Sequence, residues 1–235
     1  MKSFIPALAV AGLVLSTASF GANLSGKVNF KCKAPKAENF KMDADAVCKK
    51  AHTKPVAKND VVVNGNGTLA NVFVYVKEGV KKEAVPAADA APVVFDQVGC
   101  MYTPHVFGVR TGQTIKIVNS DPTLHNVHAM PKSNTGFNMG MATKGQTIEK
   151  KFTKPEQMVR IKCDVHGWMT AYVGVMDHPW FAVSDSSGNF SIANLPAGEY
   201  TLEAWHEKLG TQTAKVSVTD AGAKAPVEFT FGGQG

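Results

Sequence analysis

The sequence predicts an all-β protein made of two β-sandwiches. Apolar residues recur mostly with a period of two, and stretches of helical periodicity are scarce. Short apolar runs alternate with glycine- and asparagine-rich turns, as at residues 61–76, where two valine-rich runs flank the turn at 64–67. The 235 residues are 44% hydrophobic and include 4 cysteines, which suffices for a core in one or two domains and excludes a disordered chain or a disulfide-dense miniprotein.

The first 22 residues have the layout of a secretory signal peptide. Lys2 precedes an apolar run at residues 4–15, and small residues follow that run. The run is too short to span a bilayer. We therefore expect cleavage near Ala22, export to the periplasm, and a mature protein without an integral membrane segment. Disulfides persist in that compartment.

Residues 23–91 form an N-terminal β segment. The runs at residues 24–30 and 71–76 predict strands, and residues 77–91, rich in lysine, glutamate, proline and alanine, predict a connecting segment.

Residues 92–177 are predicted to form the first sandwich. We expect strands at residues 93–98, 105–109, 114–119, 147–152 and 158–164, and a long polar loop at residues 130–145. In the last of these strands Val159, Ile161 and Cys163 alternate with Arg160 and Lys162, so Cys163 is expected to point into the core.

Residues 178–235 predict the second, smaller sandwich, because short strands there alternate with tight turns such as 185–189 and 195–198. A segment of this size is close to the lower limit for an independent core. We therefore expect it to borrow the strands at residues 24–30 and 71–76.

Four side chains are expected to carry the chemistry: His125, Cys163, His166 and Met169. A thiolate, two imidazoles and a thioether suit copper, and two histidines and a cysteine with a weak axial methionine describe an electron-transfer copper site. Cys163 ends a strand, a tight loop can bring His166 and Met169 back over the same metal, and His125 arrives from a separate strand. A single buried cysteine or methionine is usually a core residue, but four linked donors favour a metal site.

These residues also carry a family resemblance. Residues 93–176 resemble a cupredoxin, the blue-copper family that includes plastocyanin and amicyanin, through two motifs: Asn119-x-Asp121-x-x-x-His125-Asn126 and Cys163-x-x-His166-x-x-Met169. The resemblance implies a Greek-key sandwich with one type 1 copper, in which His125, Cys163 and His166 are equatorial ligands and Met169 is axial.

The same resemblance implies roles for neighbouring residues. Asn126 would form hydrogen bonds near the cysteine sulfur and hold the two ligand loops together. Electrons would leave through His166 and an apolar patch, for which Gly167, Trp168 and Ala171 are the candidates.

The whole chain resembles exported bacterial proteins, sometimes labelled methylamine-utilisation or plastocyanin-like, that combine a cupredoxin with a carboxypeptidase-regulatory-like module. The matching residues are Asp185, Gly188, Asn189, Phe190, Ile192, Leu195, Pro196, Gly198 and Tyr200. This resemblance implies a small Ig/transthyretin-like sandwich. Because residues 24–28 resemble the first strand of such modules, we expect the cupredoxin to be inserted within a discontinuous sandwich, with contacts between residues 24–32 and 199–219.

The other histidines are weaker candidates. His105 and His128 are possible metal contacts, and His128 with Met130, Met139 and Met141 is a possible second, Cu(I)-collecting patch, although packing of these methionines is the favoured interpretation. His52, His178 and His206 are expected to serve packing or interfaces.

If Cys163 binds copper, Cys32, Cys48 and Cys100 allow one disulfide and one free thiol. The sequence does not choose among the three pairings. A role for Cys100 as a second sulfur near the metal is the less favoured alternative.

The leading functional hypothesis is a periplasmic type 1 copper protein that carries single electrons between redox partners such as a c-type cytochrome or a dehydrogenase. The alternative is a chaperone or resistance protein that handles Cu(I) without redox cycling. A third hypothesis, an adhesion or carbohydrate-binding module, would leave the copper ligands without a use. An enzyme is not expected, because catalytic triads, paired carboxylates and phosphate loops are not recognisable. The formal net charge of +6, without a basic block interleaved with aromatic residues, does not favour nucleic acid.

Overall fold

The structure is a computed structural model that describes residues 21–36, 38–87 and 90–232. Residues 1–20 of the predicted signal peptide lie outside the described residues. Among the described residues, none of the helices has the length and apolar character needed to cross a membrane.

The expected all-β fold is confirmed. Strands make up nearly all of the regular structure, with one short α-helix, α1 (Ala46–Lys50), and one turn of 3₁₀ helix (Lys82–Ala84) in the described part of the chain. The strands of the first half are β1 (Ala22–Phe30), β2 (Phe73–Glu78), β3 (Val93–Val98), β4 (Met101–Thr103), β5 (Val106–Arg110), β6 (Ile115–Asn119), β7 (His125–Met130) and β8 (Phe137–Met141). Those of the second half are β9 (Thr147–Lys150), β10 (Glu156–Lys162), β11 (Thr170–Met176), β12 (Phe181–Val183), β13 (Asn189–Leu195), β14 (Gly198–His206), β15 (Gly210–Thr219), β16 (Gly222–Ala223) and β17 (Val227–Phe231).

Two sheets, with strand orders β4-β3-β6-β9 and β5-β11-β10-β7-β8, form the first sandwich, here called sandwich A. Its apolar core includes Phe95, Ile117, Val127, Ile161 and Val173, all at most 1% exposed. The alternation expected along β10 is confirmed, since Val159 and Ile161 are buried and Arg160 is exposed.

Three strands of sandwich A, namely β4, β8 and β11, were not predicted. The segment expected to be a polar loop, residues 130–145, contains β8, which pairs antiparallel with β7. β8 is an edge strand, and of its side chains only Met141 is fully buried. A strand with one hydrogen-bonded neighbour needs few apolar residues, so its composition resembles that of a loop.

The remaining sheets, with strand orders β13-β1-β17 and β12-β2-β14-β15-β16, form the second sandwich, here called sandwich B. β1 lies between β13 and β17, and β2 lies between β12 and β14, so both N-terminal strands belong to sheets that are completed by the C-terminal part of the chain. β1 also contacts β15. The domain boundaries at residues 92 and 178 stay a prediction.

The two sandwiches pack closely through aromatic rings that lie on glycines. A Cβ atom on Gly174 of β11 would lie 2.5 Å from the ring of Phe73 in β2, and one on Gly108 of β5 would lie 2.3 Å from the ring of Phe181 in β12. Such distances exclude any larger side chain at the two glycines unless the strands move apart.

A buried carboxylate adds a polar link to this interface. Glu203 of β14 accepts hydrogen bonds from Tyr75 Oη at 2.5 Å, Lys77 Nζ at 2.6 Å and Gln157 Nε2 at 2.6 Å. Gln157 belongs to sandwich A and the other three residues to sandwich B. Because burying an unpaired carboxylate is costly, these donors fix how the two sandwiches meet.

A buried histidine of sandwich B predicts acid sensitivity. His206 is 2% exposed, and burial lowers its pKa to about 4. The unfolded chain protonates this ring near its ordinary pKa of about 6.5, whereas the folded protein resists protonation down to about pH 4. Its contribution to stability is therefore present above pH 6.5 and is lost as the pH falls toward 4.

We expect His206→Asn to weaken this pH dependence, because asparagine does not titrate and can still accept the Lys208 N–H bond. Between pH 7 and pH 4.5, the loss of unfolding free energy should be smaller than in the wild type by about 2–3 kcal/mol. Urea denaturation at the two pH values measures this difference. An equal loss in both proteins would contradict the assignment.

Candidate metal centre

Three of the predicted ligands converge at one end of sandwich A. His125 begins β7, Cys163 follows β10, and His166 lies in the turn before β11. β7 and β10 are antiparallel neighbours with Lys162 opposite His128, so the start of β7 and the end of β10 lie at the same end of the sheet. The Nδ1 atoms of the two imidazoles are 2.9 Å apart, and one donor atom from each of the three residues lies within 4.8 Å of the others.

Backbone hydrogen bonds tighten the turn that carries Cys163 and His166. The Cys163 N–H donates to the Met169 carbonyl at 3.1 Å, and the Met169 N–H donates to the His166 carbonyl at 2.9 Å. The His166 N–H donates to Cys163 Sγ at 3.3 Å. Met169 is fully buried in the same apolar core as Cys163, and its role as an axial ligand stays a prediction.

Asn126 joins the two ligand loops, and the contacts expected of it are confirmed. Its Oδ1 accepts hydrogen bonds from the Asp164 N–H at 2.6 Å, the Val165 N–H at 3.3 Å and Cys163 Sγ at 3.3 Å. Its backbone carbonyl accepts from Tyr102 Oη at 2.5 Å. One amide side chain therefore orients the sulfur and ties the turn after β10 to β7.

Each imidazole meets a carboxylate through the nitrogen that points away from the cluster. His125 Nε2 lies 3.0 Å from Asp121 Oδ2, and Asp121 also accepts from the N–H groups of Gly99 and Cys100. Burial raises the pKa of Asp121, but these bonds outweigh it and the pKa is lowered. Burial likewise disfavours the charged form of His125, yet hydrogen bonds to Asp121 and Cys163 raise the pKa of His125 to about 9.

The second imidazole, that of His166, also meets a carboxylate through its outer nitrogen. His166 Nε2 lies 3.1 Å from Asp45 Oδ2, and Asp45 caps α1 by accepting from the N–H groups of Val47 and Cys48. The Cys48 N–H is the main reason that the pKa of Asp45 is lowered to about 2. Both rings thus turn their Nδ1 atoms toward each other and toward the sulfur.

The donor set fits copper. Burial opposes ionisation of Cys163, but hydrogen bonds from His125 and from nearby N–H groups lower the pKa of its thiol and favour the thiolate, the form that binds metals. A thiolate and two imidazoles, with their outer nitrogens held by carboxylates, are ligands that suit a mononuclear copper ion.

The apolar patch expected around His166 is partly wrong. Ala171 is fully buried, and His166 is only 3% exposed because Asp45 and Cys48 cover it. Trp168 is half-buried, lies 5.0 Å from the His166 ring between centroids and donates its Nε1–H to the Cys100 carbonyl. Trp168 therefore shields the site. The exposed apolar side chains beside the ligands are instead Leu124 and Val165, which are 46% and 48% exposed.

The remaining histidines have partners away from the cluster. His105 contacts the Thr170 carbonyl through Nδ1 and the Glu207 carboxylate through Nε2. His128 contacts Asp164 at 2.9 Å on the surface. His52, His178 and His206 were expected to serve packing or interfaces. In the structure each of them forms a hydrogen bond with a backbone group, which agrees with a structural role.

The methionine patch considered for Cu(I) does not form. Met141 is fully buried, and its sulfur accepts from Gln97 Nε2 at 3.1 Å. Met139 pairs with the buried Val127, whereas His128 pairs with Asn138. Since paired residues share a face of the sheet and successive residues alternate, Met139 and His128 lie on opposite faces.

The structure resolves the cysteine pairing left open by the sequence. Cys48 and Cys100 form a disulfide with an S–S distance of 2.08 Å, so Cys100 is not a thiolate ligand. Cys163 is a buried free thiol and Cys32 an exposed one.

Sequence reasoning missed Asp45 and the covering segment around it. The available signal was an aspartate directly before a short helical run, which is a preferred N-cap residue. Nothing local to that aspartate indicated a partner 121 positions away in the chain.

Comparison with known proteins gives one family model and several solved structures. Residues 164–227, less than half of the chain, match the model described as polysaccharide lyase family 4, domain II. None of the curated proteins compared with the chain matches it.

The similar solved structures cover less than half of this chain. A Cu-containing nitrite reductase from Thermus scotoductus SA-01 is 22% identical over 42% of this chain and 25% of its own, with a TM-score of 0.34. The Cu(I) form of an M51A mutant of amicyanin is 20% identical over 45% of this chain and 98% of its own, with a TM-score of 0.33. A purple cupredoxin from Nitrosopumilus maritimus is 20% identical over 35% of this chain and 98% of its own, with a TM-score of 0.31.

Asn126→Ala should destabilise the metal-free protein. It removes the acceptor of the Asp164 and Val165 N–H groups in a part-buried turn, and unsatisfied buried donors cost about 1–3 kcal/mol. Thermal or urea unfolding measures the change. The matched control is Asn189→Ala, at an exposed position at the start of β13 in sandwich B, which should cost no more than about 0.5 kcal/mol; equal effects of the two variants would contradict the role given to Asn126.

Proposed function

We propose that this protein binds one copper ion through His125, Cys163 and His166, with Met169 as a weak axial ligand, and carries single electrons. The observation that supports the proposal is that the Nδ1 atoms of two buried imidazoles lie 2.9 Å apart and that one donor atom from each of His125, Cys163 and His166 lies within 4.8 Å of the others. Bound copper supplies one-electron chemistry between its +1 and +2 states.

The protein's own residues suit that chemistry. Cu(I) and Cu(II) prefer different geometries, so ligands held by a rigid sandwich limit rearrangement and speed electron transfer. The His166 N–H donates to the sulfur, Asn126 Oδ1 holds the turn beside it through the Asp164 and Val165 N–H groups, and a carboxylate orients each imidazole. The apolar core of sandwich A, in which Cys163 and Met169 are buried, keeps water from the ligands. This arrangement favours a carrier rather than an enzyme.

The partners we propose are redox proteins, such as a c-type cytochrome or a dehydrogenase, met in the periplasm after removal of the signal peptide. Leu124 and Val165 precede two of the ligands in the chain and expose apolar surface. We favour these side chains over the buried Ala171 as the contact for a partner.

Copper uptake by the purified protein tests the proposal. With Cu(II), we expect an intense visible band, a paramagnetic resonance signal that reduction removes reversibly, and one copper per chain. Cys163→Ser should abolish the band, because the thiolate supplies the charge transfer, and Cys32→Ser, at the exposed free thiol, should leave it unchanged. A colourless protein that takes up several Cu(I) ions would reject electron transfer in favour of copper handling.

Met169→Gln separates an axial role from a packing role. We expect the variant to retain copper and to change its reduction potential, because axial ligands tune a copper centre more than they anchor it. Cyclic voltammetry and metal analysis measure the two properties. Complete loss of copper, or an unchanged potential, would contradict an axial role.

A further inference from the structure

The C-terminal ligand His166 is covered by a segment that lies outside the strands of sandwich A. Residues 38–58, here called the N-terminal cap, form a short antiparallel ladder in which Phe40 N–H donates to the Val56 carbonyl and Lys58 N–H to the Glu38 carbonyl. The cap contains α1, and its Met42 and Cys48 belong to the apolar core of sandwich A. It is therefore packed onto the end of the sandwich where the ligands converge.

Asp45 is the residue of the cap that reaches the ligand. Its Oδ1 accepts from the N–H groups of Val47 and Cys48 at 2.7 and 3.1 Å. Its Oδ2 lies 3.1 Å from both His166 Nε2 and Thr123 Oγ1. One carboxylate thus joins the start of α1, the loop before His125 and the ring of His166.

The two imidazoles are held by matching units that a disulfide joins. Asp45 accepts from the Cys48 N–H and contacts His166, and Asp121 accepts from the Cys100 N–H and contacts His125. Cys48 and Cys100 are bonded to each other, and Cys48 Sγ lies 3.6 Å from His166 Nε2. The disulfide therefore joins the two backbone segments whose N–H groups bind the carboxylates that meet the ligands.

We infer that Asp45 is a positioning residue of the metal centre: it holds His166 with the proton on Nε2 and the lone pair of Nδ1 facing Cys163 and His125. A carboxylate only accepts hydrogen bonds, so a ring nitrogen bonded to it carries the proton. This fixes tautomer and ring orientation before a metal binds. The inference has two consequences: the fixed tautomer and orientation of His166, and an effect on bound copper. Only the second rests on the proposed function.

That second consequence is a shift in the reduction potential. A carboxylate bonded to a ligating imidazole makes the imidazole a better donor and places negative charge near the metal. Both effects favour the more positive oxidation state, Cu(II), over Cu(I). Asp45 should therefore lower the reduction potential relative to the same centre without its charge.

The first test uses the metal-free full chain and does not depend on copper. Nitrogen NMR of ¹⁵N-histidine-labelled protein should show His166 as the Nε2–H tautomer in the wild type. Asp45→Ala should give a mixture of tautomers or a reoriented ring. Asp43→Asn is the matched control, since Asp43 is exposed and pairs with Lys49 at 3.1 Å on the surface; it should leave the His166 signals unchanged. An Asp45→Ala spectrum identical to that of the control overturns the inference.

The second test uses copper-loaded protein and the conservative variant Asp45→Asn. Asparagine caps helices as well as aspartate does, so its single side-chain oxygen can keep the bonds to the Val47 and Cys48 N–H groups. Its NH₂ group then takes the place of the oxygen beside His166, so the cap is retained while the charge and the acceptor for the His166 proton are lost. We expect the ratio of Cu(II) to Cu(I) affinity to fall about tenfold, a rise of about 59 mV for a one-electron couple, whereas Asp43→Asn keeps the wild-type potential. Equal potentials for the two variants would overturn the electrostatic role.

The two tests fail in different ways. A wild-type protein that forms no coloured copper centre would reject the proposed function, and the NMR result on the metal-free chain would still decide whether Asp45 positions His166. A coloured centre whose His166 tautomer does not respond to Asp45→Ala would reject the positioning role and leave the proposed function standing.

Discussion

The end of sandwich A that carries the candidate metal site depends on one constraint: two imidazoles and a thiol are buried in an apolar core, where polar atoms need partners. The inner nitrogens and the sulfur satisfy one another, and the outer nitrogens are satisfied by Asp121 and Asp45. Each carboxylate is in turn satisfied by backbone N–H groups. The cluster is therefore the centre of a hydrogen-bonded network that reaches from the N-terminal cap to β7.

This network explains why the cap is part of the centre rather than an appendage. Without the cap, the outer nitrogen of His166 would have neither the Asp45 carboxylate nor the Cys48 sulfur beside it. The cap supplies this carboxylate, one half of the disulfide and the apolar side chains that join the core. The cap also separates His166 from solvent, because the side chain of His166 is only 3% exposed.

Sequence reasoning predicted the fold class and most strands because period-two patterns and turn residues are local signals. His125, Cys163 and His166 were found because their chemistry is unusual at that spacing. β8 was missed since an edge strand needs few apolar residues, and Asp45 was missed since its partner is distant in the chain. The disulfide required coordinates, because three cysteines allow three pairings and spacing does not distinguish them. Ala171 was expected to expose apolar surface, but it alternates with Val173 and Val175 on the buried face of β11. The covering of His166 by the cap is a tertiary property that the local sequence does not show.

The chain leaves sandwich B at the end of β2 and returns to it in β12, and these two strands are antiparallel neighbours with Phe181 opposite Tyr75. Trp180 and Val76 are also joined, by a backbone hydrogen bond of 3.1 Å. The nine strands of sandwich A are thus carried between two positions that an ordinary hairpin turn would connect, whereas the N-terminal cap that packs on them precedes β2. In genetic terms, these strands occupy a single insertion point, and every strand of sandwich B lies outside the inserted segment. A chain without the insertion would uncover Phe73 and Phe181, the rings that now lie on Gly174 and Gly108, and would leave Cys48 of the cap without its disulfide partner Cys100.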